Sequence, residues 1–92
     1  MGQPPLIQVI RKNMITIERD SKFEEVFIHA APEDLRGLAK KLWAISEKAE
    51  AKGKHSEELT TKDDSEIELS TKPIVDNGKH VVVKKLTVSS SV

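Results

Sequence analysis

One stretch, PEDLRGLAKKLWAISEKAEAKG at residues 32–53, decides much of what this chain is able to become. Pro32 suits a first helical position, where its missing N–H costs nothing, and Glu33 and Asp34 follow where the helix dipole favours negative charge. Leu35, Leu38, Ala39, Leu42, Ile45 and Ala49 recur at helical spacing on one stripe, with Trp43 at its edge. Arg36, Lys40, Lys41, Glu47 and Lys48 fall on the opposite side. Gly53, directly after Lys52, is a C-terminal stop. The spacing predicts a helix over 32–52, about 31 Å long at 1.5 Å per residue. That is long enough to cross a sheet of four or five strands.

The rest of the chain supplies the sheet. Leu6–Arg11 and Met14–Arg19 are rich in β-branched residues, with Lys12-Asn13 between them as a turn. Residues 20–22 form the next turn, and 23–31 a third strand, in which Val26 and Ile28 alternate with Glu25, Phe27 and His29. After the helix, Glu66–Ser70 alternates as a half-buried strand with Ile67 and Leu69 inward. Residues 73–88 read as a hairpin about Asn77-Gly78, with Pro73 marking a strand end or an edge. The expected fold is therefore α+β. An antiparallel sheet of four to five strands, in the order β-β-β-α-β-β, carries one long amphipathic helix on one face. A single domain over 1–92 is expected, with flexible ends at about 1–5 and 89–92.

One helix covers one face, yet several strands carry apolar residues on both. Leu6 and Ile10 stand against Ile7 and Val9, and Val81 and Val83 against Val82. The second face is then expected either to be partly covered, by sheet curvature, a protein partner or a weak homodimer, or to carry scattered exposed valines. Gly37 lies inside the helix, nearly opposite the apolar stripe. There it costs about 1 kcal/mol relative to alanine, either as drift or to admit another chain.

Composition excludes several functions. Hydrophobic residues make up 37% and charged residues 33% of the chain, a globular balance. There is no cysteine and no apolar run of membrane-spanning length. The N-terminus lacks the pattern of a signal peptide, and Pro5 and Leu6 argue against N-myristoylation at Gly2. A cytoplasmic protein is expected. His29, His55 and His80 show no ligand spacing, and residues 63–66 lack the EF-hand pattern, so neither metal nor cofactor is expected. Without a nucleophile elbow or a glycine-rich phosphate loop, an enzyme is not expected either. The net charge is zero and Phe27 is the one plausible stacking platform, which disfavours nucleic-acid binding.

The charge is unevenly spread. HSEELTTKDDSEIELS, residues 55–70, carries six acidic residues and one lysine. Serine, glycine or asparagine would serve as well in a polar connection. An acidic cluster, by contrast, steers a basic partner. Glu57, Glu58, Asp63 and Asp64 are the candidate partner-binding residues; the alternative is a solvated link between helix and strand.

Residues 31–70 also carry a resemblance. Leu35, Leu38, Ala39, Leu42 and Ile45, then His55, then Ser65 to Leu69 are similar to small bacterial polymorphic-toxin immunity proteins. Those have a helix of the form G-L-x-x-L-A-x-x-L-x-x-L-A, a histidine with a polar link, and a strand rich in S-x-E-L. Here Glu57 stands where that family's link has a second histidine, and Asp34-Leu35 replaces its Gly-Leu. The resemblance implies a non-catalytic protein that binds and blocks a cognate toxin. The alternative function is a small structural domain that homodimerises through its open sheet face.

Overall fold

The structure is a computed structural model, and it describes residues 13–62, 66–74 and 79–92. The expected strand Leu6–Arg11 and the Asn77-Gly78 turn lie outside them. Within them run β1 (Asn13–Asp20), β2 (Val26–His29), α1 (Pro32–Lys52), β3 (Lys54–Thr60), β4 (Ile67–Leu69), β5 (His80–Val82) and β6 (Lys85–Ser91). The protein is α+β with one helix, and the helix has the bounds its punctuation predicts. Gly53, at φ 91°, donates its N–H to the Ala49 carbonyl at 2.7 Å. Glycine accepts that left-handed geometry without a Cβ penalty.

The sheet is mixed, which corrects the antiparallel expectation. Its order is β2-β1-β4-β3-β6, with β5 pairing β1 beside β4. The pairs β1/β4 and β3/β4 are parallel. The physical reason is that the chain reverses between β2 and β3, so that β3 runs in the direction of β1, and β4 then continues in the direction of β3. A second correction follows: residues 54–60 are no connection but a strand, fully paired with β6 from Lys54↔Ser91 to Thr60↔Lys85. The C-terminal serines, expected to fray, complete that ladder, and Val92 donates to the Gly53 carbonyl at 2.9 Å. Most of the first arm of the expected hairpin over 73–88 lies outside the described residues with its turn, and its second arm divides into β5, which pairs β1, and β6, which pairs β3.

Residues opposite each other share a sheet face. Ile15, Ile17, Ile67, Leu69 and Leu59 line the helix side and form the core with Leu38, packed further by Ala30, Val83 and Leu86. On α1 the buried residues are Asp34, Leu38, Ile45 and Ala49. Leu35 and Leu42 are each 42% exposed and Ala39 is exposed, contrary to expectation. The helix is thus rolled by roughly 50° from the centre of its apolar stripe, at 100° per residue. Two contacts on the other flank account for the roll. A Cβ at Gly37 would collide with the Asn13 side chain, so this glycine admits the chain's own β1. Lys41 and Lys48 reach over β3 to Glu57.

Candidate functional site

The β1–β2 hairpin carries the most unusual local geometry. Asp20 Oδ1 accepts hydrogen bonds from the Glu24 and Glu25 amides at 2.8 and 3.1 Å, and Phe23 N–H donates to the Asp20 carbonyl at 3.3 Å. Closing the loop this way puts Phe23 at φ 60°, the one non-glycine residue with positive φ among those described. That position ordinarily takes glycine or asparagine, because a Cβ there clashes with the backbone. The ring is 71% exposed, and the Arg19 guanidinium sits 3.7 Å from its centroid. β2 begins three residues later. It is shorter than the expected 23–31 strand because the loop consumes 23–25. All four of its residues are exposed, Val26 at 65% and Ile28 at 52%. Among the described residues it pairs with β1 alone, so it forms a sheet edge.

The face of β1 opposite the helix is also buried. Thr16 and Glu18 are 7% and 3% exposed, which makes β1 buried on both sides. Here lies a cavity of about 250 Å³ lined by Thr16, Glu18, Phe27, Ile28, His29, Ile74 and His80. Glu18 Oε1 accepts the Ile74 amide at 2.5 Å, and Oε2 lies 3.3 Å from His80 Nδ1. The Phe27 and His80 rings stack with centroids 4.8 Å apart. Two histidines that are far apart in sequence therefore line one cavity with a buried carboxylate. No spacing rule reveals this, since β2 and β5 are brought together by their separate pairings with β1. Among the described residues, no group of three or more His, Cys, Asp or Glu side chains is arranged to hold a metal ion.

The candidate acidic residues separate. Glu57 lies on the helix side of β3, between Lys41 Nζ at 2.5 Å, His55 Nε2 at 2.9 Å and Lys48 Nζ at 3.3 Å. The Lys41 hydrogen bond, then those of His55 and Lys48, pull its carboxyl down to about 2, against some opposition from burial. Glu58 points to the other face and pairs with Lys85 at 3.2 Å, both largely exposed. Asp63 and Asp64 lie outside the described residues.

No helix among the described residues is long and apolar enough to cross a membrane. No protein-family model matches the chain, and no curated protein or solved structure matches it significantly.

Proposed function

We propose that this chain is a non-catalytic binding protein of the immunity kind, which neutralises a protein partner by covering part of its surface. Phe23 carries the reading. A backbone strained for an aromatic residue costs about 1–3 kcal/mol, and a ring 71% exposed gives little back through burial. The Arg19–Phe23 stack brings together two residue types enriched at protein interfaces. Beside it, β2, which among the described residues pairs with β1 alone, offers the exposed side chains of Val26 and Ile28 to an incoming strand.

Glu57, Glu58, Asp63 and Asp64 remain the proposed electrostatic contribution. Glu57 is already faced by two lysines and Glu58 by Lys85, so the steering field would come mainly from Asp63 and Asp64. Removing charge at Glu58, Asp63 and Asp64 should slow association several-fold at low salt.

The test of the main reading is Phe23→Gly, which relieves the φ penalty while deleting the ring. Co-expressed with the toxic product of an adjacent gene, the wild-type chain should restore growth and co-purify with it. The variant should melt higher and bind at least about tenfold more weakly. Undiminished protection by the variant would overturn the reading. The alternative, a homodimer built by antiparallel pairing of two β2 edges, is favoured by the same exposed edge. It requires sedimentation to show a dimer of the isolated chain.

A further inference from the structure

The strand order begins at β2, which carries the partner reading, and ends at β6. We propose that β6 and the adjoining flank of α1 are where a second copy of this chain docks, its β6 pairing antiparallel with this one about a twofold axis at Val88. Phe23 and Arg19 stay free in such a dimer, so it stands or falls independently of the partner reading.

β6 pairs β3 without interruption from Lys54↔Ser91 to Thr60↔Lys85, and among the described residues it pairs with no other strand. Beyond that register, Val92 donates to the Gly53 carbonyl. Directly opposed residues alternate in an antiparallel pair between bonded and non-bonded, so Leu86, Val88 and Ser90 also turn their backbone groups toward β3. Those of Lys85, Thr87, Ser89 and Ser91 point outward. Exposed edges are ordinarily blunted by proline, a bulge, brevity or charge. β6 has seven residues, no proline, an unbroken register and a single charge, Lys85, at its first position.

That edge is complementary to itself. A twofold axis at Val88 sets Lys85 opposite Ser91, and Thr87 opposite Ser89, of the second copy. The outward-facing residues then meet one another as hydrogen-bonded pairs, all seven residues join the ladder, and no two like charges stand opposite each other. Val88 faces its own mate on the helix side. The helix widens the surface there, since α1 packs on β6 as well as on β3 and β1. Gly37 abuts Asn13 of β1, and Leu35 and Leu42 lie roughly 150° round the helix from it. They are therefore on the β6 side, each 42% exposed, and turn toward the seam between the two copies. The strand is about 24 Å long, and sheet and helix together are about 20 Å deep. That gives roughly 500 Å² per copy, or about 1,000 Å² in all, the low end of specific interfaces. The dimer is then weak, with a dissociation constant on the order of tens of micromolar.

The test is analytical ultracentrifugation of the whole chain over about 5–500 µM, where the mean mass of wild type should rise toward that of a dimer. Ser89→Pro removes an outward N–H that β3 does not use, a place where an edge strand tolerates proline. It should weaken the dimer at least about tenfold, with the circular dichroism of the monomer unchanged. Leu42→Ala should weaken it several-fold, and Val26→Lys, on β2, should leave it within about twofold. The chain has no cysteine, so Val88→Cys places one thiol on each side of the axis. Their Cα atoms are about 4.5 Å apart in a non-hydrogen-bonded pair, within disulfide reach. Val88→Cys should oxidise to a covalent dimer at least about tenfold faster than Thr87→Cys, whose Cα atoms stand about 8 Å apart across the same axis. A monomer at every concentration would overturn the proposal and leave this face to a partner of other sequence. So would a dimer undiminished by Ser89→Pro or by Leu42→Ala, a dimer lost in Val26→Lys, or equal cross-linking at the two positions. Should Ser89→Pro fail to fold, Leu42→Ala and the cross-linking comparison decide the matter without it.

Discussion

Removing the charge of Glu57 should cost stability at neutral pH and nothing in strong acid. The carboxylate is shared between Lys41 on one oxygen and His55 with Lys48 on the other, which holds it near 2 instead of the usual 4.5. At about 1.36 kcal/mol per pH unit the ceiling on its contribution is about 3 kcal/mol. The true figure is smaller, because Lys48 is half exposed and solvent and salt screen such pairs. We expect about 1 kcal/mol, toward the upper end for a surface pair because three partners converge on one acid. The sign follows from the depressed value. A carboxyl lowered in the folded state adds stability fully above its unfolded value of about 4.5, and loses it as pH falls through about 2. Urea unfolding of wild type and Glu57→Gln at pH 7, 5, 3.5 and 2.5 should show the gap narrowing along that series, and a higher salt concentration should narrow it at pH 7. Glu58→Gln is the control, since Glu58 and Lys85 are both more than half exposed, and it should change little at any pH. A gap that stays constant from pH 7 to pH 2.5 would refute the reasoning.

Two further predictions concern the docking of α1. Leu38→Ala should cost about 2–5 kcal/mol and Leu42→Ala under about 1 kcal/mol, because Leu38 is 8% and Leu42 42% exposed; equal losses in thermal melts would mean the helix is not rolled. Gly37→Ala should bring no gain alone, since Asn13 fills the space, but up to about 1 kcal/mol in an Asn13→Ala background; an additive double-mutant cycle would remove that contact from the account.

The helix was legible because its signals are local: Pro32 and Gly53 mark its ends, and the apolar residues between them repeat one spacing. Its orientation was not, because what rolls it is an ion cluster with residues of β3. That strand was hidden for the same reason. In KHSEELT only Leu59 is apolar, so the period of two is written in His55 and Glu57, whose placement on the helix side depends on lysines elsewhere in the chain. The signal was present in Lys41, Lys48 and Glu57, but it becomes readable only once α1 and β3 are known to be antiparallel neighbours. Parallel pairing of β4 between β1 and β3 leaves no local trace at all. The cavity was illegible in the same way, because Glu18, His29 and His80 converge only through strand registers set elsewhere.

Local conflicts in a sequence carry different meanings according to whether the fold compensates them. Glu57 is a charge on a packed face, and Lys41, Lys48 and His55 answer it, so it reads as part of the architecture. Glu18, buried on the other face of the sheet, is answered in the same way by the Ile74 amide and His80. Phe23 is different. The half-buried Arg19 meets its ring, but the residue stays 71% exposed at a positive φ. Sites that break local rules without evident structural gain are where function is expected to lie. On that argument, a substitution at Phe23 chosen purely for stability should be the one that damages binding. Core residues such as Ile45 and Leu59, which obey every local rule, should yield losses of stability and no selective loss of function.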